Sequence, residues 1–426
     1  MTTIILFASL FLFIILGLPI GIAIGLACLA TIVLASNIDI FVILDQALKG
    51  INSSVIMSIS FFTLAGILMG RGGISKRLLD LSNALIGWVK GGLAMVTVLT
   101  SMFFAAISGS GPATVGAIGS FMIPEMKRNR YGTSFGAGLT AVAGSLGVII
   151  PPSIPFILYG VVAEVSIGKL FAAGIIPGIL IGILLMFASY LVLRKKDIVL
   201  DTKRSSFGEI AKATWKAKWS LLAPIIVLGG IYLGWFTPTE ASVVAVVYAF
   251  IVGMFIHKNL GRKELYESLT ETLQLLGATI YMVGLSFTFA YILTIERIPN
   301  AIVETLTSIS DNKWVLLILI NLFLLLVGAF IDVVVSIVIL TPILLPIAIQ
   351  IGIDPVHFGV IMILNLAIGY VTPPFGVNLF VASAVSKSPI ESIFKASVPF
   401  LFVMLLSLIL IIVFPFLSLY LPSLIG

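Results

Sequence analysis

The chain has 426 residues, of which 60% are hydrophobic and only 10% carry a charge. Soluble domains carry about 25% charged residues, so this composition excludes an ordinary soluble enzyme or binding module. The apolar residues run in blocks, and a block of about 20 residues spans a bilayer. The net charge of +6 comes from basic residues in short segments between the blocks, which favours membrane topology over nucleic-acid binding. The sequence therefore predicts a polytopic membrane protein.

Ten apolar blocks are predicted to cross the membrane. In chain order they cover residues 3–16, 19–36, 53–70, 133–163, 169–193, 220–234, 240–256, 272–293, 357–385 and 396–420. Two further stretches, about 91–124 and 314–346, are each long enough for two short helices, and we expect them to form re-entrant helical hairpins. Before the seventh span, Thr237, Pro238 and Glu240 fit the N-cap, N1 and N3 positions of a capping box. This favours a structural role for Glu240 over a functional one.

The basic residues support this arrangement. If both hairpins return to the side they entered from and the N-terminus lies outside, 20 of the 24 lysines and arginines face the cytoplasm. The positive-inside rule requires such a bias. The four that fall outside are Lys49, Lys169, Arg297 and Lys313. Hairpins that crossed the membrane fully would destroy the segregation, so we expect both termini on the outer side.

An internal repeat relates the two halves of the sequence. After a shift of 222 residues, four of the six prolines between residues 100 and 180 fall on prolines, where chance predicts about 0.3 matches. The pairs are Pro124 with Pro346, Pro151 with Pro373, Pro152 with Pro374, and Pro177 with Pro399. Five crossings per half is an odd number, so the halves must be inverted, as in many secondary transporters. We predict an all-α fold with repeats at 1–193 and 219–426, joined by a basic cytoplasmic linker at 194–218.

Four segments interrupt the helical pattern at membrane depth. In the first half they are 108–114, which reads Ser-Gly-Ser-Gly-Pro-Ala-Thr, and 144–153, which contains a proline pair. Their partners in the second half are 330–336 and 369–378, and the latter also contains a proline pair. Such pairs free backbone carbonyls, which persist at membrane depth only where they line protein or a polar cavity.

These breaks provide two kinds of ligand. Freed carbonyl oxygens suit a hard cation, while the N–H groups that begin the following half-helix suit an anion. Ser110 or Gly111 before Pro112 fits the N-cap and N1 positions of such a half-helix. Thr372 before Pro373 fits the same positions in the second half. The alternative is that the prolines only kink helices and the glycines only permit close packing. Two equivalent breaks with small polar neighbours favour a binding site.

Asp332 is the one acid deep within an apolar stretch, and its equivalent in the first half, Ser110, is neutral. A carboxylate inside a membrane is costly unless it is paired or solvated, so a functional role is the default hypothesis. Asp332 would then help to bind a cation or carry a proton. The alternative is an N-cap for the second hairpin helix.

Two other patterns leave their interpretation open. The segment 109–111 is similar to part of a serine-hydrolase elbow, but Ser108 breaks the G-x-S-x-G pattern. An intramembrane hydrolase using Ser110 is thus an alternative without an evident general base. The amphipathic segments 71–90 and 296–313 would lie along the two membrane surfaces, either as arms between a fixed and a mobile part or as interfacial anchors.

Four segments resemble the hallmark segments of the large membrane subunit of TRAP (tripartite ATP-independent periplasmic) transporters. They are Ser108 to Thr114 (SGSGPAT), Leu146 to Ser153 (LGVIIPPS), Gly234 to Glu240 (GWFTPTE) and Gly369 to Asn378 (GYVTPPFGVN). The resemblance runs over essentially the whole chain. It implies a permease rather than an enzyme, of the ion-transporter-superfamily elevator type. Such a protein imports its substrate across the bacterial inner membrane with sodium as the coupling ion and no other cofactor.

The resemblance also implies partners. The family works with a small four-helix membrane subunit and a periplasmic substrate-binding protein. We expect the small subunit as a separate chain, because the first repeat begins at residue 3. The cargo would be a small carboxylate, either sialic acid or a dicarboxylate, with the sialic-acid branch as the first expectation. Membrane lipid is a further expected partner, and nucleic acid is not.

By the family's pattern, the ligands lie at the hairpin tips and the proline breaks. The first sodium ion is expected near Ser108, Ser110, Gly147, Ile150 and Pro152. The second is expected near Phe330, Asp332, Gly369, Thr372 and Pro374. Substrate contacts are expected from Gly111, Thr114, Ser145, Ser153, Ser336 and Asn378. The alternative function is a stand-alone anion or dicarboxylate transporter that is proton-coupled through Asp332.

Overall fold

The computed structural model describes residues 2–35, 38–194, 204–298 and 312–425. The regular structure in these ranges is helical, and we number the α-helices in chain order. Before the first long gap they are α1 (Thr2–Ile15), α2 (Ile20–Ala35), α3 (Val42–Ile51), α4 (Ser54–Arg71), α5 (Ile74–Ile86), α6 (Gly92–Ser108), α7 (Gly111–Arg128), α8 (Thr133–Gly144), α9 (Ile154–Val162) and α10 (Ile167–Leu193). A 3-10 helix, Ser145–Val148, follows α8 directly.

The remaining helices follow residue 204. They are α11 (Phe207–Tyr232), α12 (Pro238–Ile251), α13 (Arg262–Ile295), α14 (Lys313–Phe330), α15 (Val333–Gln350), α16 (Pro355–Gly369), α17 (Val377–Ser386), α18 (Ile390–Val413) and α19 (Phe416–Ile425). A π-helical turn, Val252–Ile256, extends α12. As predicted, a capping box begins α12, because the Thr237 side chain accepts from Glu240 N and the Glu240 carboxylate accepts from Thr237 N at 2.8 Å.

The helices suit a membrane. In the described part of the chain, six are long and apolar enough to cross it, namely α10, α12 with its π-helical turn, α13, α14, α15 and α18. The pair α3 and α4, bent by 51°, adds a seventh if the two are one span. Helices α1 and α2 have 14 and 16 residues, fewer than the roughly 20 of a perpendicular crossing. These features confirm an all-α polytopic membrane protein.

The predicted interruptions appear in the backbone. The block at 133–163 forms α8, the 3-10 turn and α9, and the block at 357–385 forms α16 and α17. Each of the two breaks holds a cis peptide bond within its proline pair. The stretch 91–124 forms α6 and α7, and the stretch 314–346 forms α14 and α15. Because α14 and α15 are each long enough for a full crossing, length alone does not distinguish a re-entrant hairpin from two crossings.

The 222-residue shift also relates helix boundaries. The bounds of α7, 111 and 128, become 333 and 350, which are the bounds of α15. The start of α8 at 133 becomes 355, where α16 begins. The starts of α6, α9 and α10 fall within one residue of the starts of α14, α17 and α18. The two halves therefore share one succession of two paired helices, a broken helix and a long helix.

The segments around these units also form helices where they are described. Helix α5 buries Ile74, Leu78 and Leu81 on one face, as its amphipathic pattern predicts. Most of the equivalent segment 296–313 lies outside the described residues. Part of the predicted linker also does, but from Phe207 onward the linker residues are the first half of α11, which continues to Tyr232. A capping box of Ser206 and Glu209 begins this helix.

The helices that precede the two breaks, α8 and α16, are deeply buried. All residues of α8 from Phe135 to Gly144 are buried, and so are all residues of α16 from Val356 to Gly369. Helix α8 packs against α7, α17 and α18, whereas α16 packs against α14 and α15. The break after α8 is thereby held by α7 of the first hairpin and by α17 and α18, which follow the second break. The break after α16 is held by both helices of the second hairpin.

Candidate functional site

The first hairpin tip is an ordered set of hydroxyl groups. The Ser108 and Thr114 hydroxyl oxygens lie 3.0 Å apart, and the Thr114 hydroxyl donates to the Ser110 carbonyl at 2.8 Å. The Ser110 side chain caps α7 by accepting from Ala113 N at 3.4 Å, which confirms the predicted N-cap. Gly109 makes the turn with a φ of +62°, a conformation that favours glycine. The tip thus presents three oxygen-bearing side chains in fixed positions.

This tip lies directly against the first proline break. A methyl group on Gly147 would overlap the Ser110 carbonyl and come within 2.7 Å of the Thr114 hydroxyl oxygen. A methyl group on Gly109 would lie 2.7 Å from the carbonyl oxygen of Pro152. The fold therefore brings together four of the five residues predicted for the first cation site, and glycine is needed at both contacts.

Two predicted residues of this break face elsewhere. The Ile150 side chain packs against Gly178 of α10. The Ser153 hydroxyl donates to the Val148 carbonyl at 2.6 Å and caps α9 by accepting from Phe156 N. The contacts of Ser153 are thus internal to the break. Any role of Ile150 at the first cation site would rest on its backbone.

The second hairpin meets its break mainly through backbone atoms. A methyl group on Gly369 would overlap the carbonyl oxygen of Gly328 in α14. Beyond the proline pair, Phe375 N donates to the Ala329 carbonyl at 3.1 Å. Asp332 caps α15, because its carboxylate accepts from Val334 N at 2.9 Å. The N-cap alternative for Asp332 is thus observed, and the cation or proton role stays a prediction.

The prediction for Thr372 was wrong in one respect. Helix α17 begins at Val377 with Gly376 as its N-cap, so neither Thr372 nor Pro373 begins that helix. The Thr372 hydroxyl instead donates to the Ile368 carbonyl at 2.8 Å, at the end of α16. The proline pair thus lies in a turn between the helices, because the next helix begins only three residues after Pro374.

The other predicted residues of the second half differ in burial. The Phe330 side chain is 50% exposed, so any role of Phe330 at the second cation site would rest on its backbone. The Ser336 hydroxyl is buried and has no hydrogen-bond partner among the described residues. Ser336 is the repeat equivalent of Thr114, whose hydroxyl is fully engaged at the first tip. A ligand at the second tip could therefore use the Ser336 hydroxyl.

Asn378 joins the two breaks. Its amide nitrogen donates to the Ala141 carbonyl at 2.9 Å and to the Ser145 hydroxyl at 3.1 Å, both in the first half. Its amide oxygen lies 3.2 Å from the position that a methyl group on Gly111 would take, at the start of α7. That oxygen is buried and has no hydrogen-bond partner among the described residues. Gly111, Ser145 and Asn378, all predicted substrate contacts, are thus brought together.

Two features of this centre were missed by the sequence analysis. The Tyr370 ring lies against Gly111, with ring carbons 3.2 Å from the position of a methyl group there. One turn before Gly369, Asn365 donates to the Asn321 side-chain oxygen at 2.7 Å. Both asparagines place a polar amide inside an apolar block, and this sequence pattern could have identified them. An isolated amide in such a block is also compatible with ordinary helix packing, so the pattern alone did not distinguish them.

Apart from the Asp332 carboxylate at the second tip, the chemistry of the centre is that of uncharged oxygens and helix N-termini. The residues that the structure describes contain no cluster of three or more His, Cys, Asp or Glu side chains that could hold a metal ion. The groups that meet at the breaks are carbonyl, hydroxyl and amide oxygens, which suit a hard cation. The start of α7 directs backbone N–H groups into the same region, which suits an anion.

The whole sequence matches one known family. The sequence profile described as "Tripartite ATP-independent periplasmic transporter, DctM component" matches residues 7–417. The chain belongs to this family. The resemblance inferred from the four motifs is therefore confirmed, and the chain is a TRAP large permease, a membrane protein whose relatives are transporter permeases rather than enzymes.

Curated relatives of this TRAP permease are named for different organic anions. It is 46% identical to the isethionate TRAP transporter permease protein DctMQ of Oleidesulfovibrio alaskensis, covering 95% of this chain and 64% of that protein. It is 41% identical to the C4-dicarboxylate TRAP large permease DctM of Pseudomonas aeruginosa, covering 95% and 94%. It is 38% identical to the sialic acid TRAP large permease SiaM of Vibrio cholerae, covering 96% and 95%.

Solved structures with a similar fold have low sequence identity. The YdaH transporter of Alcanivorax borkumensis has a TM-score of 0.58 at 15% identity, covering 86% of this chain and 88% of that chain. MtrF of Neisseria gonorrhoeae has a TM-score of 0.54 at 13% identity, covering 87% and 83%. At these identities the likeness concerns the fold alone.

Proposed function

We propose that this TRAP permease is the large membrane subunit of a sodium-coupled importer of a small organic acid. The observation that carries the proposal is the meeting of both breaks at Asn378, next to the start of α7. This centre offers oxygens for a cation and helix N–H groups for an anion within one buried region. Coupled transport of an anion with a cation requires both.

The cation sites of the proposal are the two places where a hairpin meets a break. The first uses the Ser108, Ser110 and Thr114 hydroxyl cluster together with carbonyls near Gly147 and Pro152. The second uses the Asp332 carboxylate and carbonyls beside Gly369, Thr372 and Pro374, by analogy of repeat position. Each sodium ion that enters down a membrane potential of 100 mV contributes about 2.3 kcal/mol. Two ions could therefore drive steep accumulation of the anion.

The proposed architecture places this centre between moving and fixed parts. The equivalent helix boundaries of the two halves support a structural repeat, and we propose that the repeat is inverted with a re-entrant hairpin in each half. We propose an elevator-type movement in the bacterial inner membrane, with both termini in the periplasm. A small four-helix membrane subunit and a periplasmic binding protein that delivers the substrate complete the transporter. Because the relatives named above carry names of three kinds of organic anion, sialic acid is one candidate beside a dicarboxylate and isethionate.

Uptake into proteoliposomes tests the proposal. The vesicles would hold this chain with its small membrane subunit, and the binding protein would carry a radiolabelled acid outside. We expect accumulation that follows an inward sodium gradient and is increased by a negative interior potential. Uptake that did not depend on the sodium gradient but increased with an inward proton gradient would contradict the sodium proposal. It would favour proton coupling through Asp332. Uptake by this chain alone would contradict the requirement for partners.

A further inference from the structure

Helix α11 is not one of the six helices in the described part of the chain that are long and apolar enough to cross the membrane, but its second half covers most of the predicted span 220–234. Its 26 residues extend about 39 Å at about 1.5 Å per residue, whereas the hydrocarbon core of a bilayer is about 30 Å thick. In a helix perpendicular to the membrane, about six residues would therefore lie beyond the hydrocarbon region. The charges identify which end extends, because Lys212, Lys216 and Lys218 lie in the first half of the helix and residues 219–232 carry no charge.

Tryptophans mark the membrane boundaries at the two ends of this helix. Trp215 is 70% exposed, and Trp235, just past the other end, is 72% exposed. Tryptophan is enriched at both membrane–water interfaces. The distance along the helix from Trp215 to Tyr232 is about 26 Å at about 1.5 Å per residue, close to the hydrocarbon thickness. With Trp215 at one interface, Lys212 and Lys216 would lie at the depth of the lipid headgroups.

Two aromatic side chains and one lysine share one side of the helix. At about 100° per residue, Phe207, Trp215 and Lys218 fall within an arc of about 80°. Phe207 is 87% exposed, and the Lys218 ammonium lies 3.5 Å from the centroid of the Trp215 ring. The buried residues Ala217 and Ser220 lie on the opposite side. This face is thus turned away from the rest of the chain. Lys212 and Lys216 lie outside the arc, at about 140° and 180° from Phe207, but both are exposed.

The charge of this surface is not neutralised within the described ranges. Just before α11, the Arg204 guanidinium lies 5.1 Å from the centroid of the Trp88 ring and forms another cation–aromatic pair. No ion pair joins Arg204 or the three lysines to a carboxylate in the described part of the chain. The nearby acid, Glu209, accepts from Ser206 N at 2.7 Å, and this backbone hydrogen bond lowers the pKa of Glu209. The extension is therefore a net cationic surface.

We propose that this extension, residues 204–218, binds the phosphate groups of anionic phospholipids in the leaflet that the positive-inside rule assigns to the cytoplasm. Ammonium and guanidinium groups at headgroup depth bind phosphodiesters, and the indole rings anchor at the same level. Long basic side chains can extend their charged ends outward while their stems cover apolar surface. Each basic residue near such a surface strengthens binding by about fivefold.

Quenching of Trp215 fluorescence by brominated lipids tests this. The four other tryptophans are replaced by phenylalanine in the full chain, which is reconstituted into phosphatidylcholine nanodiscs. Brominated phosphatidylglycerol is expected to quench Trp215 more than the same fraction of brominated phosphatidylcholine. Lys212→Gln/Lys216→Gln should lower this preference about 25-fold at low salt, by about fivefold for each lysine, and Lys212→Arg/Lys216→Arg should restore it. The control Lys387→Gln/Lys395→Gln removes two lysines elsewhere and should leave the preference unchanged.

Three outcomes would overturn the proposal. One is an equal loss in the Lys387→Gln/Lys395→Gln control, which would indicate a nonspecific charge effect. Another is a preference that does not weaken in about 0.5 M salt, since screening must reduce it. The third is protection of Trp215 from both brominated lipids, which would mean that protein covers the surface. If the single-tryptophan chain fails to fold, native mass spectrometry can be used on the chain with all its tryptophans. The amount of phosphatidylglycerol retained is then compared between this chain and its Lys212→Gln/Lys216→Gln variant.

Discussion

The two hairpin tips occupy equivalent positions in the repeat, but different groups hold them in place. At the first tip, the hydroxyls of Ser108 and Thr114 bond to each other and to the backbone. At the second tip, the Asp332 carboxylate caps the next helix, while the Ser336 hydroxyl has no partner among the described residues. The repeat thus reproduces the helix boundaries and the glycine at each break, but the atoms that this glycine meets and the side chains at the tip differ. Ion affinity is therefore expected to differ between the two tips.

The second half also has buried amides that the first half lacks. Asn321 and Asn365 bond to each other through side chains, and their equivalents after the shift, Leu99 and Ala143, are apolar. The Asn365 side-chain oxygen is buried without a hydrogen-bond partner among the described residues. A buried unpaired oxygen costs free energy of about 1–3 kcal/mol. The second half therefore has a buried amide pair beneath its hairpin tip where the first half has apolar side chains.

The largest effects are expected where both halves depend on glycine. In Gly147→Ala the new methyl group meets the Ser110 carbonyl, and in Gly369→Ala it meets the Gly328 carbonyl. Because backbone cannot move aside easily, each change should destabilise the fold by about 1–3 kcal/mol and abolish sodium-driven uptake. Thermal unfolding and proteoliposome uptake measure this. In the control Gly229→Ala nothing lies within 4 Å of the new methyl group, so it should behave as wild type. Normal uptake by Gly369→Ala would show that the second contact is dispensable.

The chemical difference between the tips is tested by Asp332→Asn. Asparagine keeps the N-cap but removes the charge, so thermal stability should change little. Loss of a charged ligand should weaken sodium binding by roughly 10- to 100-fold, as measured by the sodium dependence of uptake. At the first tip Ser110→Ala should weaken it less, because only a neutral oxygen is lost. If Asp332→Asn leaves the sodium dependence unchanged while Asp332→Ala lowers stability, the carboxylate is only a cap.

The contact between the halves is tested by Asn378→Ala. This change leaves the Ala141 carbonyl buried without its donor, which should cost about 1–3 kcal/mol of stability and reduce uptake. Ser145→Ala removes one neutral hydrogen bond and should cost about 0.5–1.5 kcal/mol. A double-mutant cycle by thermal unfolding measures their coupling. Additive losses would mean that the two residues do not act together.

The smallest effect is expected within the first tip. Ser108→Ala and Thr114→Val each break the hydrogen bond between the two hydroxyls. The double variant should therefore be less destabilised than the sum of the single variants, with a coupling of about 1 kcal/mol. Sodium-dependent unfolding measures this on the reconstituted chain. A coupling of zero would indicate that the Ser108 and Thr114 hydroxyls contribute to stability independently of each other.

Much of the fold followed from local sequence patterns. The apolar blocks predicted the helices, and the 222-residue shift predicted that α7 and α15 would have equivalent bounds. The capping box at Thr237 and the N-cap at Ser110 were also correct. These features depend on residues within one helical turn or on the hydrophobicity of a segment, so the sequence carries them directly.

The connections within the site were decided only by the tertiary structure. Asn378 and Ala141 are 237 residues apart, and no local pattern predicts that their polar groups pair. Thr372 was misassigned because a proline pair ends one helix without specifying where the next begins, and the turn places that start at Val377. Likewise, the direction of the Ile150 side chain depends on the close approach of Gly178. The sequence determined the helices and their breaks, whereas packing determined which oxygens meet.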